Sequence, residues 1–264
     1  MNFYQDAHLH LQDPRLTSQL PSIIAELQAQ GINKLVVNGT SPNDWNAVAQ
    51  LHSDYPDLIV PSYGLHPWKT PTSKENWKEL LERRISENPV ACIGECGLDK
   101  WMRIPNLAAQ EDAFQFQLEL AVRHNRPLSI HVLKAWGWLI EILEKSPIPD
   151  RGFMLHGFGG SREVAARLTQ MGAYFSFSGY FLQERKNTVQ QAFKNIPINR
   201  ILIETDAPDM RAPDAFITHP LEEKTNHPAN LVATARGLAT LLAMDLEELS
   251  NQLEANFSRF FLAE

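Results

Sequence analysis

Six residues that can bind a metal ion each lie at the end of a short apolar run that is typical of a β-strand. They are His8, His10, Glu95, His131, His156 and Asp206. In an α/β barrel all the strands end at one face, so residues that are distant in sequence meet there in one pocket. Four imidazoles and two carboxylates provide enough donors for two adjacent divalent ions, such as Zn, Mn or Mg. The pattern predicts a hydrolase that uses two divalent metal ions.

The spacing of the first three residues indicates how they would share the ions. His8 and His10 lie two residues apart on a strand, so both side chains point to the same side, about 6.6 Å apart at the backbone. Glu95 alternates with Ala91 and Ile93, which directs it into the barrel interior, where a carboxylate is costly unless it is paired or binds metal. Its two oxygens can bridge ions roughly 3.5–4 Å apart.

Each residue also has a purely structural interpretation. His8 and His10 would then be a buried, hydrogen-bonded pair, Glu95 one half of an internal salt bridge, and Asp206 the cap of a turn. A single histidine at the end of one strand is more often a core residue than a ligand. The joint position of all these side chains at strand ends favours metal binding.

Asp206 and His66 are the predicted residues that act on water and substrate. Asp206 precedes Ala207-Pro208, where the proline stops the strand, and a carboxylate there can contact the first metal and accept a proton from the attacking water. His66 ends the third strand at the same face. Because the other residues already fill two metal sites, we expect His66 to contact the substrate. The predicted catalytic residues are therefore Asp206, Glu95 and His66.

The elements that must position these residues alternate along the chain. Segments with helical periodicity separate eight apolar runs, and this alternation predicts an α/β fold, a TIM-type (β/α)8 barrel in a single domain spanning residues 1–264. The predicted strands are 3–8, 34–39, 58–64, 90–95, 127–132, 152–156, 173–178 and 200–205.

Helix-start signals accompany this pattern. The predicted first-turn residues are Ser41 with Pro42, Thr72 with Glu75, Asn106, Ser161, and Asp245 with Glu248. Residues 207–227 follow Asp206 directly, contain three prolines and show no clear period. A loop of this length in a compact barrel is usually functional, so we expect it to form a lid or a wall of the substrate entrance.

The composition limits how a nucleic acid could bind. The 264-residue chain is 44% apolar and carries a net charge of -7, with no evident basic face. Proteins that hold nucleic acid by its backbone usually present such a face. Any contact with nucleic acid must therefore be local and metal-assisted, because the overall field repels phosphate.

The remaining features concern the cellular compartment. Cys92 and Cys96 lie about 13 Å apart in an extended strand, too far for a disulfide, and unpaired thiols suit a reducing cytoplasm. No signal peptide is visible at the N-terminus, and no apolar run approaches the roughly 20 residues that span a bilayer. The sequence predicts a cytoplasmic protein without membrane association, and it shows no sign of an obligate protein partner.

Read in order, these segments resemble the TatD family of metal-dependent deoxyribonucleases. The matching motifs are Asp6-x-His8-x-His10, Gly64-x-His66-Pro67, Gly94-Glu95-x-Gly97-Leu98-Asp99, Ile130-His131, His156-Gly157-Phe158 and Glu204-Thr205-Asp206-Ala207-Pro208. The resemblance implies one metal held by His8, His10, Glu95 and Asp206, and a second held by Glu95, His131 and His156. It also implies that His66 contacts the scissile phosphate and that DNA is the substrate of an exonuclease.

The departures from the family pattern concern the substrate. Val132, Leu133 and Lys134 follow the fifth-strand histidine, where the family usually has Ser or Thr and then Arg. The late Arg-Asn-x-Pro segment reads Thr225-Asn226-His227-Pro228, and the sixth-strand motif His-Cys-Phe-Ser-Gly reads His156-Gly157-Phe158-Gly159-Gly160. Loss of two arginines removes forked donors suited to phosphate. Hydrolysis of a carboxylic ester or amide, for example an aminoacyl-tRNA bond, is therefore an alternative. A non-catalytic metal-binding scaffold is a third, which the complete set of ligands argues against.

Overall fold

The computed structural model describes residues 2–72, 75–103 and 106–262. Within them eight strands form one sheet in which each strand pairs in parallel with the next in sequence. The strands are β1 (Tyr4–Leu9), β2 (Ile32–Gly39), β3 (Ile59–Tyr63), β4 (Cys92–Asp99), β5 (Leu128–Leu133), β6 (Phe153–Leu155), β7 (Ala173–Ser178) and β8 (Ile201–Glu204). Just after β8, the N–H of Asp206 donates to the oxygen of His8, and the N–H of His10 donates to the oxygen of Ala207. These bonds join the last strand to the first.

Helices connect the strands and surround the sheet. They are α1 (Pro14–Thr17), α2 (Leu20–Ala29), α3 (Trp45–Asp54), α4 (Trp77–Glu87), α5 (Leu107–His124), α6 (Trp136–Lys145), α7 (Arg162–Gln170), α8 (Asn187–Phe193), α9 (Leu231–Leu242) and α10 (Leu246–Phe257). Strand and helix alternate as predicted, which confirms the (β/α)8 barrel. None of the described helices has both the length and the apolar character needed to cross a bilayer.

Three predicted helix starts are confirmed by capping hydrogen bonds. The side chains of Asn106, Ser161 and Asp245 accept backbone N–H bonds in the first turns of α5, α7 and α10. Each bond satisfies an N–H that has no partner within its own helix.

Two predicted helix starts are wrong. α3 begins at Trp45 rather than at Ser41, because the Asp44 carboxylate accepts the N–H of Ser41 and holds the preceding residues in a turn. Thr72 is not a cap, because its hydroxyl donates to the oxygen of Lys69 within a 3-10 helix that precedes α4. In both places a local bond to the backbone displaces the predicted cap.

β4 extends four residues beyond its predicted end and is irregular where the site begins. Its pairing with β5 shifts register between Ile93 and Cys96, and Gly94 and Gly97 have φ values of 137° and 142°. A Cβ at Gly97 would overlap the backbone oxygen of His131. These glycines allow β4 and β5 to approach closely around Glu95.

The barrel interior changes from apolar to polar along its axis. At the amino-terminal end a buried cluster contains one residue from each of seven strands, closed by three aromatic side chains of the C-terminal segment: Ala7, Val36, Val60, Cys92, Met154, Tyr174, Leu202, Phe257, Phe260 and Phe261. At the carboxyl end the buried side chains are polar, and they include Asn38, Ser62, Ser129, His156, Ser176 and Glu204. Hydrophobic packing therefore stabilises one end, and the other end holds the candidate chemistry.

The two cysteines do not form a disulfide, as predicted. Cys92 and Cys96 are both buried and free. Burial raises the pKa of Cys92 to about 12, so this thiol stays protonated and packs as a small apolar side chain.

Candidate metal centre

The structure brings all six predicted ligands together around Glu95. One carboxylate oxygen, Oε2, lies 3.4 Å from His8 Nε2 and 3.3 Å from His10 Nε2. Asp206 approaches the same two imidazoles, with its Oδ1 3.7 Å from His8 Nε2 and 3.5 Å from His10 Nε2. Residues from the first, fourth and last strands thus form one group.

The other oxygen of Glu95 faces a second group of imidazoles. Oε1 lies 3.1 Å from His131 Nδ1, 2.9 Å from His156 Nε2 and 3.2 Å from His66 Nε2. His66, predicted to contact substrate, is thus as close to this oxygen as the two histidines predicted to be ligands. Glu95 therefore separates two clusters of donors, one on each oxygen.

The donor set fits divalent metal ions. Three groups of donors have all their ligand atoms within 4.8 Å of one another: His8, His10 and Glu95; His66, Glu95 and His131; and His8, His156 and Glu204. The Nε2 atom of His8 is buried and has no hydrogen-bond partner among the described residues. A buried polar atom without a partner is costly, and a bound cation would satisfy it. Imidazole and carboxylate together suit Zn or Mn well.

Neighbouring groups orient the first two imidazoles. His10 Nδ1 donates to the backbone oxygen of Asn38 at 2.8 Å, so Nε2 is the nitrogen that faces the carboxylates and that a metal would bind once Nε2 has lost its proton. His8 Nδ1 lies 3.1 Å from Ser129 Oγ. Such bonds hold an imidazole in the orientation that a metal requires.

Asp99 orients His131 and was not predicted as a site residue. Its Oδ2 lies 3.1 Å from His131 Nε2 and accepts a 2.6 Å bond from Trp68 Nε1. Its Oδ1 accepts the N–H of Trp101 at 2.6 Å. The motif Gly97-Leu98-Asp99 could have identified Asp99 as a site residue, because a buried carboxylate at a strand end needs a partner.

Glu204 is a second residue that sequence reasoning missed. It is fully buried, accepts a bond from Ser176 Oγ, and has its Oε1 3.7 Å from His156 Nδ1. An acidic residue at the end of the apolar run 201–203 could have indicated it. Carboxylates behind a histidine raise the basicity of that ligand.

The electrostatics of the cluster favour ionised carboxylates. Burial opposes the charge on Glu95, but the surrounding imidazoles, His66 and His156 foremost, hold its pKa well below the usual range. Burial likewise opposes charge on His10 and His156, yet their contacts with carboxylates raise the pKa of both. Burial lowers the pKa of His66 to about 4. Without metal the site therefore retains protons on some imidazoles, and a cation must displace them.

The cluster lies at the base of a cavity of about 820 Å³. Its lining includes three acidic residues besides Glu95 and Asp206: Asp13, Asp44 and Asp209. Lysine and aromatic residues line the rest: Lys69, Lys134, Lys186, Trp68, Trp101, Trp136, Tyr180 and Phe181. The cavity is large enough for a nucleotide-sized group.

The segment 207–227, predicted to form the substrate entrance, reaches the cavity only at its start. Asp209 and Met210 line the cavity, whereas the residues after them pack away from it. The Asn230 amide binds the backbone of Thr218 and His219, and the Asn226 amide binds the oxygen of Thr205. These bonds hold Thr218, His219 and Asn226 in place, and the role of the segment at the substrate entrance stays a prediction.

Comparison with known proteins agrees with this geometry. The model of the family described as TatD related DNase matches residues 5–262. The uncharacterized metal-dependent hydrolase YabD of Bacillus subtilis (strain 168) is 30% identical over 258 residues, covering 97% of this chain and 98% of the relative. The 3'-5' ssDNA/RNA exonuclease TatD of Edwardsiella piscicida is 29% identical over 259 residues, covering 97% and 98%.

Solved structures share the fold. The crystal structure of the TatD homologue YjjV from Escherichia coli K12 superposes with a TM-score of 0.91 at 24% identity, covering 99% of this chain and 98% of that one. A TatD family hydrolase from Entamoeba histolytica gives a TM-score of 0.85 at 19% identity, covering 99% of both chains. With a family model that spans almost its whole length, the chain belongs to the TatD family and is a metal-dependent hydrolase of the TatD type.

Proposed function

We propose that this protein is a phosphodiesterase that acts on nucleic acid and removes nucleotides from the end of a DNA strand. The observation that carries the proposal is Glu95, whose two carboxylate oxygens each face a separate group of imidazoles. A carboxylate between two donor groups is the arrangement that two-metal phosphodiesterases use. The exonuclease name of the Edwardsiella relative supports the substrate class.

The residues would hold two divalent ions in the following way. His8, His10, Glu95 and Asp206 would hold the first, and Glu95, His131 and His156 the second. When bound, such ions supply positive charge that activates water and stabilises the oxygens of the phosphate. His66 would contact the phosphate, for which its lining position beside Glu95 is suitable.

Asp206 would accept the proton of the attacking water. Burial opposes its charge, but the hydrogen bond from His10 and the nearby imidazoles lower its pKa, so the carboxylate is ionised at neutral pH. As a P–O bond forms to the water oxygen, the proton passes to Asp206 and the ester P–O bond breaks. The leaving oxygen then takes up a proton, which balances the reaction.

Hydrolysis of labelled single-stranded DNA by purified protein, loaded with Mn, Zn or Mg, tests the proposal. We expect a ladder of products shortened from one end, and loss of the ladder in Asp206→Asn. Asp214→Asn is a matched control, because this exposed carboxylate of the same segment pairs with Arg211 and does not belong to the described lining of the cavity. Carboxylic ester and amide substrates are assayed in parallel. Hydrolysis of those substrates without cleavage of DNA would replace the proposal with the ester or amide alternative.

A further inference from the structure

We propose that Trp68 and Trp101 form a stacking platform that holds the bases of a single-stranded nucleic acid beside the metal centre. This inference rests on the proposed function and concerns how the same site binds its substrate. No arginine lines the described part of the cavity. The affinity for substrate must then come from other side chains, and the two tryptophans are the exposed large apolar residues there.

Their exposure is unusual for their size. Of the six tryptophans in the chain, Trp68 and Trp101 are the exposed ones, at 52% and 64%, and both line the cavity. Leaving two indole rings in water forfeits a large hydrophobic gain. Exposed aromatic side chains grouped at a cavity mark a binding site, and the flat faces of nucleobases match them.

A buried carboxylate anchors both tryptophans and connects them to the metal centre. Asp99 accepts the indole N–H of Trp68 through Oδ2 and the backbone N–H of Trp101 through Oδ1. The same Oδ2 lies 3.1 Å from His131 Nε2. The Trp68 ring also packs against His66 at a centroid distance of 5.1 Å. A base stacked here would therefore place its own phosphate next to these histidines.

Two lysines beside these tryptophans can contact the sugar-phosphate backbone. Lys134 Nζ lies 5.7 Å from the centre of the Trp101 ring, and Lys69 lines the cavity next to Trp68 in sequence. Asp13 and Asp209 also line the cavity, where Arg15 pairs with both carboxylates. Aromatic rings with cationic groups beside them are the combination that proteins use to bind single strands.

Oligonucleotides with and without bases provide the test. We expect normal single-stranded DNA to quench tryptophan fluorescence, and a strand of abasic sugar-phosphate units to quench it much less. Trp68→Leu and Trp101→Leu should each weaken affinity for the normal strand by about 5- to 150-fold, the worth of one stacked base. Affinity for the abasic strand should change less than about 2-fold in the same variants.

Two controls separate stacking from folding. Trp101→Phe keeps an aromatic face and should restore most of the affinity. Trp138→Leu removes a half-buried tryptophan that donates to Glu111 outside the cavity, and should leave affinity unchanged. The melting temperature of each variant is measured on the same preparation.

The outcomes distinguish this inference from the proposed function. Equal binding and cleavage of normal and abasic strands would overturn the platform and leave the phosphodiesterase standing. Base-dependent quenching that the leucine variants abolish would support the platform even if no DNA were cleaved. Equal loss of affinity for both strands in the leucine variants would assign the tryptophans to general packing and overturn it.

Discussion

Glu95 is the residue on which the chemistry of this site depends. Its side chain is 3% exposed and faces five imidazoles, two on one oxygen and three on the other. A buried carboxylate in apolar surroundings would take up a proton. Here the imidazoles keep it ionised, so it can serve as a bridge between two cations.

Metal stoichiometry in three variants tests this bridging role. We expect Glu95→Ala to lose both ions, His131→Ala to lose only the second, and His66→Ala to keep both. The physical reason is that Glu95 places one carboxylate oxygen against each donor group. Metal analysis after gel filtration measures the stoichiometry, with the exposed Glu141→Ala as a control. Full metal content in Glu95→Ala would disprove the bridge, and loss of one ion in His66→Ala would make His66 a ligand.

Asp206 is predicted to differ from a purely structural aspartate. Asparagine keeps the shape and one coordinating oxygen but is not basic at neutral pH. Asp206→Asn should therefore retain its fold and most of its metal, while turnover falls by roughly 10²–10⁴-fold. Metal content, melting temperature and phosphodiester hydrolysis are measured on one preparation. Near-normal hydrolysis by the metal-loaded variant would disprove the assignment of Asp206 as proton acceptor.

Asp6 should make stability depend on pH. Burial raises its pKa from 3.8 to about 8 in the folded protein, so this carboxyl is neutral in the folded state over a range where it ionises on unfolding. Its stabilising contribution is full below about pH 4 and is lost as the pH rises toward 8. Asp6→Asn can keep the bonds to Thr205 and His8 without a proton to lose.

Urea unfolding of the metal-free protein between pH 5 and pH 8 measures the effect. The free energy of unfolding of Asp6→Asn, relative to the parent, should increase steadily with pH, approaching about 1.4 kcal/mol per pH unit. The exposed Asp57→Asn controls for removal of a charge. A difference that stays constant across the range would contradict the neutral carboxyl.

At the scale of elements, the strands could be predicted from the sequence, whereas the helix starts and the long segment after β8 could be predicted only in part. Apolar runs placed all eight strands, because burial on both faces of a barrel strand leaves a continuous hydrophobic signal. Helix starts depended on single side chains, and Asp44 and Thr72 formed local bonds that no periodicity reveals. The segment 207–227 was interpreted from its length as an entrance. In the structure only its start lines the described part of the cavity, and Asn230 binds three of its later residues.

Asn230 should therefore control the order of this segment. Its buried amide accepts bonds from Thr218 and His219 and donates to Asn226. Asn230→Ala leaves these groups unpaired and should lower the free energy of unfolding by roughly 1–3 kcal/mol. Hydrogen exchange should accelerate within residues 205–230, and the exposed Asn195→Ala should show neither change. Unchanged exchange in the segment would show that other contacts hold it.

At the scale of the whole molecule, one end of the barrel stabilises the fold and the other carries charge that must be neutralised. Among the described residues, the apolar cluster closed by Phe257, Phe260 and Phe261 lies at one end of the barrel, and polar side chains converge at the carboxyl end. Without metal, protons on the imidazoles partly neutralise the carboxylates around Glu95. Bound divalent ions would neutralise them in place of those protons. Metal binding should therefore couple to global stability.

Removal of metal should lower the melting temperature reversibly. An ion present at 100 times its dissociation constant adds about 2.7 kcal/mol to the free energy of unfolding. We expect a chelator to lower the melting temperature and added Mn or Zn to restore it. The melting temperature of Glu95→Ala should respond to neither. Differential scanning calorimetry measures the shift. A melting temperature that changes with neither chelator nor added metal would show that the site does not bind divalent ions.

Local sequence determined the strands, the barrel and the side chains that converge at its carboxyl end. Strand periodicity and the residue types at strand ends are properties of short segments, so His8, Glu95 and Asp206 could be identified without a structure. Their side chains converge because parallel strands of a barrel all end at one face.

Tertiary structure alone decided which side chains meet around those residues. The bonds from Asp99 to Trp68 and His131 join β4 to two other parts of the chain. Glu204 approaches His156 from two strands further round the barrel. Contacts between distant segments depend on register and on the glycine-permitted approach of β4 to β5, which no local pattern encodes.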